Sequence, residues 1–151
     1  MNGYYKVVDK LREIAQAEQE VNTVTKCLPS EIDQYKATMF PLVHLSPSNS
    51  QFNKKEIQLT FEINALTIRD IDKRVTNDKF IANSNEDDNL NAMLYVLIRI
   101  YLRIDYWTVE DDFRVVGTPT IEPVRYEFQN ILDGWAMTIT IGIPIDEVEA
   151  C

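Results

Sequence analysis

The side chains that could do chemistry in this sequence are few. His44 is the only histidine, and the two cysteines are Cys27 and Cys151. Nucleophilic catalysis needs a hydroxyl or thiol within hydrogen-bond reach of a base. Cys27 with His44 is the thiol–imidazole pair to consider, and nothing else in the sequence supports it. We therefore expect no catalytic residues, and we interpret His44 as a structural histidine.

Acidic runs at 86–88 (Glu-Asp-Asp) and 110–112 (Glu-Asp-Asp) could bind divalent cations. Neither run has the spacing of a calcium loop, so both are interpreted as solvated acids. A single histidine disfavours a zinc site. The four glycines, at positions 3, 117, 134 and 142, form no phosphate-binding motif. We expect neither a metal nor a cofactor.

Length and composition predict one globular domain, residues 1–151. A chain of this size buries enough surface to fold without disulfides. Two cysteines favour reduced thiols in the cytosol over a secreted disulfide framework. No N-terminal stretch resembles a signal peptide, and no apolar run reaches the length of a membrane span.

The net charge of −9 is distributed unevenly. Residues 1–80 carry 11 Lys/Arg and 11 Asp/Glu, whereas residues 81–151 carry 4 Lys/Arg and 13 Asp/Glu. The excess is either a solvated face that keeps the protein soluble, or an acidic surface that meets a basic partner or faces DNA without gripping it. Phosphate binding needs clustered Lys/Arg, so direct DNA binding is disfavoured.

A hairpin at 119–144 is the element that the rest of the chain must cover. Every second residue from 135 to 143 is large and apolar, which is the period of a strand with one buried face. Residues 124–129 alternate in the same way. The link at 130–134 ends in Asp133-Gly134, and we expect Gly134 to supply the positive φ that hairpin closure requires.

Earlier segments predict the covering elements. Apolar residues at three- and four-residue spacing predict a helix over 4–18. A second helix starts at Ser84 or Asn85, either of which can cap it, and ends near Arg103, with Arg99 and Arg103 towards its negative pole. Strands are predicted at 21–25, 39–45, 56–68 and 113–116, and a turn at 46–50. The alternation shifts phase at 65–68, which predicts a bulge or a strand end.

These elements predict an α+β fold, in which an antiparallel or mixed β-sheet of about five strands is packed by two helices on one face. The charged 69–84 segment has few large apolar residues. A segment of this length and composition predicts an extended arm or hairpin that a neighbouring molecule orders.

Two features favour assembly with other chains. The 69–84 segment has too little apolar content to fold onto its own domain, and Pro41, Pro119 and Pro123 mark possible sheet edges where another chain could pair or be excluded. Trp135 is interpreted as a core or interface anchor rather than a base-stacking platform. The residues expected at subunit or partner interfaces are Arg69, Asp72, Lys73, Arg74, Lys79, Phe80, Trp107, Glu110, Asp111, Asp112 and Trp135.

Three stretches carry a family resemblance: Phe-Pro-Leu-Val-His-Leu at 40–45, the long strand at 56–68, and Pro-Thr-Ile-Glu-Pro at 119–123 leading to Gly-Trp-Ala-Met-Thr-Ile-Thr-Ile at 134–141. With the N-terminal helix and the acidic start of the second helix, they resemble the tail terminator (tail completion, neck) proteins of tailed bacteriophages. The chain is most similar to versions from crAss-like phages of Bacteroidetes-type hosts.

The resemblance implies a virion protein, assembled in the host bacterial cytoplasm, that forms a sixfold or twelvefold ring at the head–tail junction. Its partners would be copies of itself, a portal or connector, and tail proteins, with viral DNA passing through the channel without specific binding. The acidic half would line that channel or dock a basic neighbour. The family has no catalytic residues to transfer.

Two alternatives stay open at this point. A small ligand-binding or regulatory α+β module would contain a pocket. An enzyme would need a deep cleft with strongly shifted carboxylates.

Overall fold

The computed structural model describes residues 3–26, 39–71, 79–81, 84–127 and 131–145. These residues form α1 (Gly3–Gln16), β1 (Thr23–Thr25), β2 (Leu42–Phe52), β3 (Glu56–Ile68), α2 (Glu86–Glu110), β4 (Arg114–Glu127) and β5 (Ile131–Pro144). The sheet has the order β1-β2-β3-β5-β4, with β1 parallel to β2 and the other pairs antiparallel. The predicted α+β class, with a five-stranded mixed sheet and two helices, is confirmed.

The core lies between the two helices and one face of the sheet. α1 contributes Val7, Leu11, Ile14 and Ala15, which recur at helical spacing. The central strands contribute alternate residues, in register across the β3–β5 pair: Phe61 with Ile139, and Ile63 with Met137. α2 covers them with Met93, Val96, Leu97, Ile100, Ile104 and Trp107. Each such side chain contributes roughly 1.5–3 kcal/mol by burial, so this layer dominates the stability of the fold.

The terminal hairpin exists, but the sequence-based position of its turn was wrong. β5 begins at Ile131, so Asp133 and Gly134 lie inside the strand, opposite Thr67 and Leu66. Among the described glycines only Gly117 has a positive φ. Gly134 is needed for space instead, because a Cβ at this position would overlap the Ala65 carbonyl oxygen of β3.

Two places where the sequence predicts a break between strands belong to continuous strands in the structure. The segment 46–50, expected to be a turn, belongs to β2, and a register shift between Pro47 and Asn49 accommodates the proline. The strand expected at 113–116 continues into the hairpin as the single strand β4. Here the register shift falls between Val116 and Thr120, around Gly117.

The phase shift at 65–68 marks a strand end and not a bulge. The β3–β5 register is continuous up to Ile68, where β3 ends. The apolar residues change face because this end of the sheet is buried on both sides. A second, smaller core cluster covers the face opposite the helices, and it consists of Phe40, Leu42, Leu66 and Leu132.

The second helix begins where predicted but ends seven residues later, at Glu110 and not Arg103. Ile104 and Trp107 extend its buried stripe past the predicted end. The N-cap is Asn85, although its side chain makes no capping hydrogen bond. Its Oδ1 instead accepts the backbone N–H of Asp70 at 2.8 Å.

We expect Gly134→Ala to destabilise the fold by about 1–3 kcal/mol or more, because the added methyl group meets backbone that cannot rotate away. Gly142→Ala is the comparison variant: its methyl group would meet side chains of Glu56, Arg114 and Val116, which can shift, so its loss of stability should be smaller. Urea unfolding followed by circular dichroism measures both. Equal effects of the two substitutions would contradict the steric role of Gly134.

Candidate functional site

Helix α2 is apolar on two opposite sides. One side packs on the sheet, and the other exposes Tyr95, Ile98, Leu102, Tyr106 and Val109, each between 39% and 74% accessible. Their spacing of three and four residues aligns them in one stripe, which we call the outer stripe. Single exposed apolar residues are ordinary on protein surfaces, whereas a contiguous apolar stripe is less common on a soluble monomer.

A groove of about 480 Å³ runs between α1 and the C-terminal half of α2. Ile14, Ala17, Leu102, Tyr106 and Trp107 supply its apolar lining. Its charged lining residues are Lys10, Glu13, Arg103 and Glu110. We call this the α1–α2 groove, and through Leu102 and Tyr106 it is continuous with the outer stripe.

The C-terminal end of α2 is rich in acidic residues, and Lys6 and Lys10 of α1 line the same region. Glu110 lies in the last turn, followed at once by Asp111 and Asp112, and that turn contains no basic residue. A helix C-terminus carries a partial negative charge, so acids there are unfavourable and a cation is favoured. The Glu110 carboxylate accepts a hydrogen bond from the Tyr106 hydroxyl and raises the pKa of that tyrosine.

The Trp107 side chain is buried in the core. It is 5% exposed and packs edge-to-face on Phe113, with 5.4 Å between ring centroids. Its indole N–H donates to Asp111 Oδ2 at 2.7 Å. Asp112 follows in the left-handed region, with a φ of 57°, where the helix ends. Of these predicted interface residues, Glu110, Asp111 and Asp112 are exposed.

Arg69 is also internal. Its Nε donates to Asp133 Oδ2 at 2.8 Å and its guanidinium to Asp133 Oδ1 at 2.6 Å, with both side chains almost fully buried. Glu86 at the start of α2 lies 3.1 Å away, and the Asn89 amide donates to the Ile68 carbonyl. The hydrogen bonds that Arg69 donates to Asp133 raise the pKa of the Arg69 guanidinium. This cluster fastens α2 to the ends of β3 and β5.

Trp135 serves the same junction. It is half-buried against the core, and its indole N–H donates to the Leu90 carbonyl of α2 at 2.7 Å. Lys79 and Phe80 are exposed in the described 79–81 segment. The predicted interface residues Asp72, Lys73 and Arg74, and with them most of the predicted arm, lie outside the described residues.

The predicted residues therefore divide between the two ends of α2. Arg69 and Trp135 are tied to its N-terminal part, whereas Trp107, Glu110, Asp111 and Asp112 lie at its C-terminal end.

Sequence reasoning missed Asp133 as the partner of Arg69. It also missed the buried Glu18, which binds Arg99 at 2.7 Å and Arg103 at 3.3 Å and joins α1 to α2. Both pairs are more than 60 residues apart in sequence.

Other chemistry-bearing groups are dispersed in the described part of the chain. His44 is fully buried, and its Nδ1 lies 3.0 Å from Thr25 Oγ1. Cys27, its hypothetical thiol partner, lies outside the described residues. No group of three or more His, Cys, Asp or Glu side chains able to hold a metal ion occurs among the described residues. None of the described helices is long and apolar enough to cross a bilayer.

An ion pair bridges the sheet at the opposite end from Arg69. Arg114 of β4 donates both Nε and Nη2 to the Glu56 carboxylate of β3 across Gly142, whose missing side chain leaves the space. The hydrogen bond from Arg114, assisted by one from Gln58, lowers the pKa of Glu56 to about 2. The carboxylate is largely shielded, whereas Arg114 is more than half exposed.

No protein-family model matches this sequence, and a search of curated proteins finds no match either. The fold and the site define an α+β domain whose covering helix presents a second apolar side to its surroundings.

We expect Asp133→Ala to lower the free energy of unfolding by about 3–5 kcal/mol, because it leaves the buried Arg69 charge without its main partner. Urea denaturation gives the value. Asp9→Ala, which breaks an exposed pair with Arg12, should change stability by less than about 0.5 kcal/mol. An effect of Asp133→Ala as small as that of the control would contradict the buried pair.

We expect Arg114→Met to destabilise the protein only slightly at neutral pH, since the partly exposed pair is screened by solvent. The folded pKa of Glu56 lies below its ordinary value of 4.5. The contribution is therefore complete above that value and is lost as the pH falls towards about 2. Unfolding curves of wild type and variant should converge over this interval, whereas Arg12→Met should show no such convergence. A difference that persists at the acid end would refute the linkage.

Proposed function

We propose that this protein is a structural subunit of the head–tail junction of a tailed bacteriophage, where it forms a ring and joins the portal or connector to tail components. The proposal rests on the resemblance of its sequence to tail terminator proteins and on a surface suited to assembly. In this role the protein catalyses no reaction. It acts by its shape and by contact with copies of itself and with neighbouring rings. In such a ring, viral DNA passes through the channel without specific binding.

The observation that carries the proposal is the outer stripe of α2. Its five side chains expose apolar area on the order of several hundred Å², comparable with the largest patches on soluble monomers, which are often functional. α2 already buries a complete stripe against the sheet, so folding of the domain does not require the second one. Exposure of this stripe lowers solubility, and contact with another chain would remove its apolar area from water.

The sheet edges support contact through the helical face rather than through strand pairing. At one edge, β4 carries Pro119 and Pro123, which lack a backbone donor. Towards the other edge, β1 pairs only with Leu42–His44 of β2, and the rest of β2 carries Pro47 and a register shift. Prolines and bulges are devices that discourage edge-to-edge pairing.

A ligand-binding module is the second candidate, and the α1–α2 groove favours it. Its volume of about 480 Å³ falls within the usual range for small-molecule sites. Its lining combines an apolar base with opposite charges at the rim. The same groove can equally receive a side chain of another protein molecule, which is the use that the assembly proposal gives it.

We expect purified protein, alone or mixed with the connector protein of the same genome, to form closed rings with a central channel. Sedimentation velocity and negative-stain electron microscopy measure them. Ile98→Ser combined with Val109→Ser should raise the concentration for half-assembly at least about tenfold, because each subunit loses two apolar contacts.

Phe52→Ser is the matched control, since Phe52 is a large exposed side chain outside the stripe. It should leave assembly unchanged, and circular dichroism should show that all variants fold. A chain that stays monomeric under every condition, and melts at a higher temperature only with a small molecule, would favour the ligand-binding module and overturn the ring.

A further inference from the structure

We propose that the sheet face opposite the helices binds an arginine side chain that a partner protein presents. The binding position, which we call the arginine seat, lies over Ala136 of β5, between Glu62 of β3 and Glu122 of β4. It is on the other side of the sheet from α2, so the inference goes beyond the proposed function and does not depend on it.

Strand register places the two carboxylates on either side of a low floor. Asn64 pairs with Ala136 and Ala136 pairs with Glu122, so these three side chains lie on one face. One step along the same face, Glu62 lies opposite Thr138. Only β5 separates β3 from β4, which makes the two walls about 10 Å apart. Ala136 is partly exposed and Thr138 is exposed, so the space above this floor is open to solvent.

A buried acceptor adjoins the arginine seat. Asn64 is 1% accessible, and its side-chain nitrogen donates to Glu62 Oε1 at 2.9 Å, so the amide reaches along β3 towards that carboxylate. The Asn64 Oδ1 is buried as well, and no described residue donates a hydrogen bond to it. Such an acceptor is unfavourable in a folded protein until a donor reaches it. The group that fits here donates to a carboxylate and to an amide oxygen side by side.

The charges on this face select a cation. Neither Glu62 nor Glu122 forms an ion pair with a described residue, and Arg114, the basic residue of β4 on the same face, donates to Glu56 instead. Among the described residues, no three His, Cys, Asp or Glu side chains are grouped closely enough to hold a metal ion. An organic cation is therefore the matching ligand, since it brings its own hydrogen-bond donors.

The arginine seat also borders an apolar area. Val124 of β4 lies one step from Glu122 on the same face, and it packs with Tyr126 against the second core cluster. Burial raises the pKa of Tyr126, and the negative charge of Glu62 raises it further, so that charge acts towards the apolar end. The aliphatic stem of a long basic side chain would lie on this area while its head reaches the carboxylates.

Arginine fits the seat better than lysine. A guanidinium group is planar and has five donors in a fixed fork, so it can serve both carboxylates and the Asn64 oxygen at once. An ammonium group is a compact, strongly hydrated charge with three donors. The two heads therefore differ in how many of these acceptors one side chain can satisfy.

Titration with acetyl-arginine methylamide, a probe for an arginine within a chain, tests the inference. In amide NMR spectra of isotope-labelled protein, the probe should shift the side-chain signal of Asn64 and the backbone signal of Ala136, and the shifts should saturate. The citrulline analogue has nearly the same shape but no charge, and it should bind at least about fivefold more weakly. The lysine analogue should lie between them.

Glu62→Gln and Glu122→Gln each remove one charge and keep the shape of the side chain. Each should weaken binding of the arginine probe at least about fivefold, and the double variant should abolish it. Asp105→Asn is the matched control, because Asp105 is an exposed acid of α2 on the other side of the sheet. It should leave binding unchanged. Neither glutamate is buried, so circular dichroism and thermal melting should match wild type for all variants.

Three results would overturn the arginine seat. They are the absence of a saturable shift at Asn64 and Ala136, equal affinity for the arginine and citrulline probes, and affinity that the two glutamine substitutions leave unchanged.

Discussion

The alternating apolar ribbon shared by β3 and β5 is the constraint on which the structure depends. A sheet with one large apolar face is not stable in water until another layer covers it. Here the cover is a single helix of 25 residues, about 37 Å long, assisted by α1. The length and direction of α2 follow from this requirement, because its buried residues continue for as long as the ribbon does.

Polar contacts then fix where α2 lies. At its N-terminal end, the buried pair of Arg69 and Asp133 meets Glu86, and Trp135 donates to a helix carbonyl. In the middle, Glu18 of the turn after α1 holds Arg99 and Arg103. Such contacts contribute less net stability than apolar burial, but removing one partner leaves a desolvated charge. They specify one placement of a helix whose apolar packing alone would tolerate sliding.

The same rigid helix gives the proposed assembly its geometry. Because polar contacts hold α2 at its N-terminal end and in its middle, the exposed patches on this helix keep one position on every subunit. Identical subunits joined through such patches must repeat the same rotation at each contact, which is what a ring requires.

Much of the architecture followed from local patterns. The period-two alternation of β3 and β5, the helical spacing of α1 and the acidic start of α2 are properties of neighbouring residues, and the class of fold that they predict is the one observed. The predicted limits of strands and turns were wrong where tertiary packing overrode a local sequence signal. Pro47 and Gly117 read as breaks but sit at register shifts, and Gly134 reads as a turn residue but is required by a close backbone approach.

The candidate site was less predictable for the same physical reason. The sequence does not reveal that Arg69 and Trp107 are buried, because a charged or an indole side chain has the same letter in a sequence whether it is buried or exposed. Their partners, Asp133 and Phe113, are brought near by strand pairing and by the chain reversal after α2. The outer stripe could not be predicted, because only the packing of α2 on the sheet decides which of its apolar residues stay exposed. The sequence by itself determined the elements and their apolar faces, whereas tertiary structure decided which charges pair and which apolar surface stays outside, because both depend on contacts between residues distant in the chain.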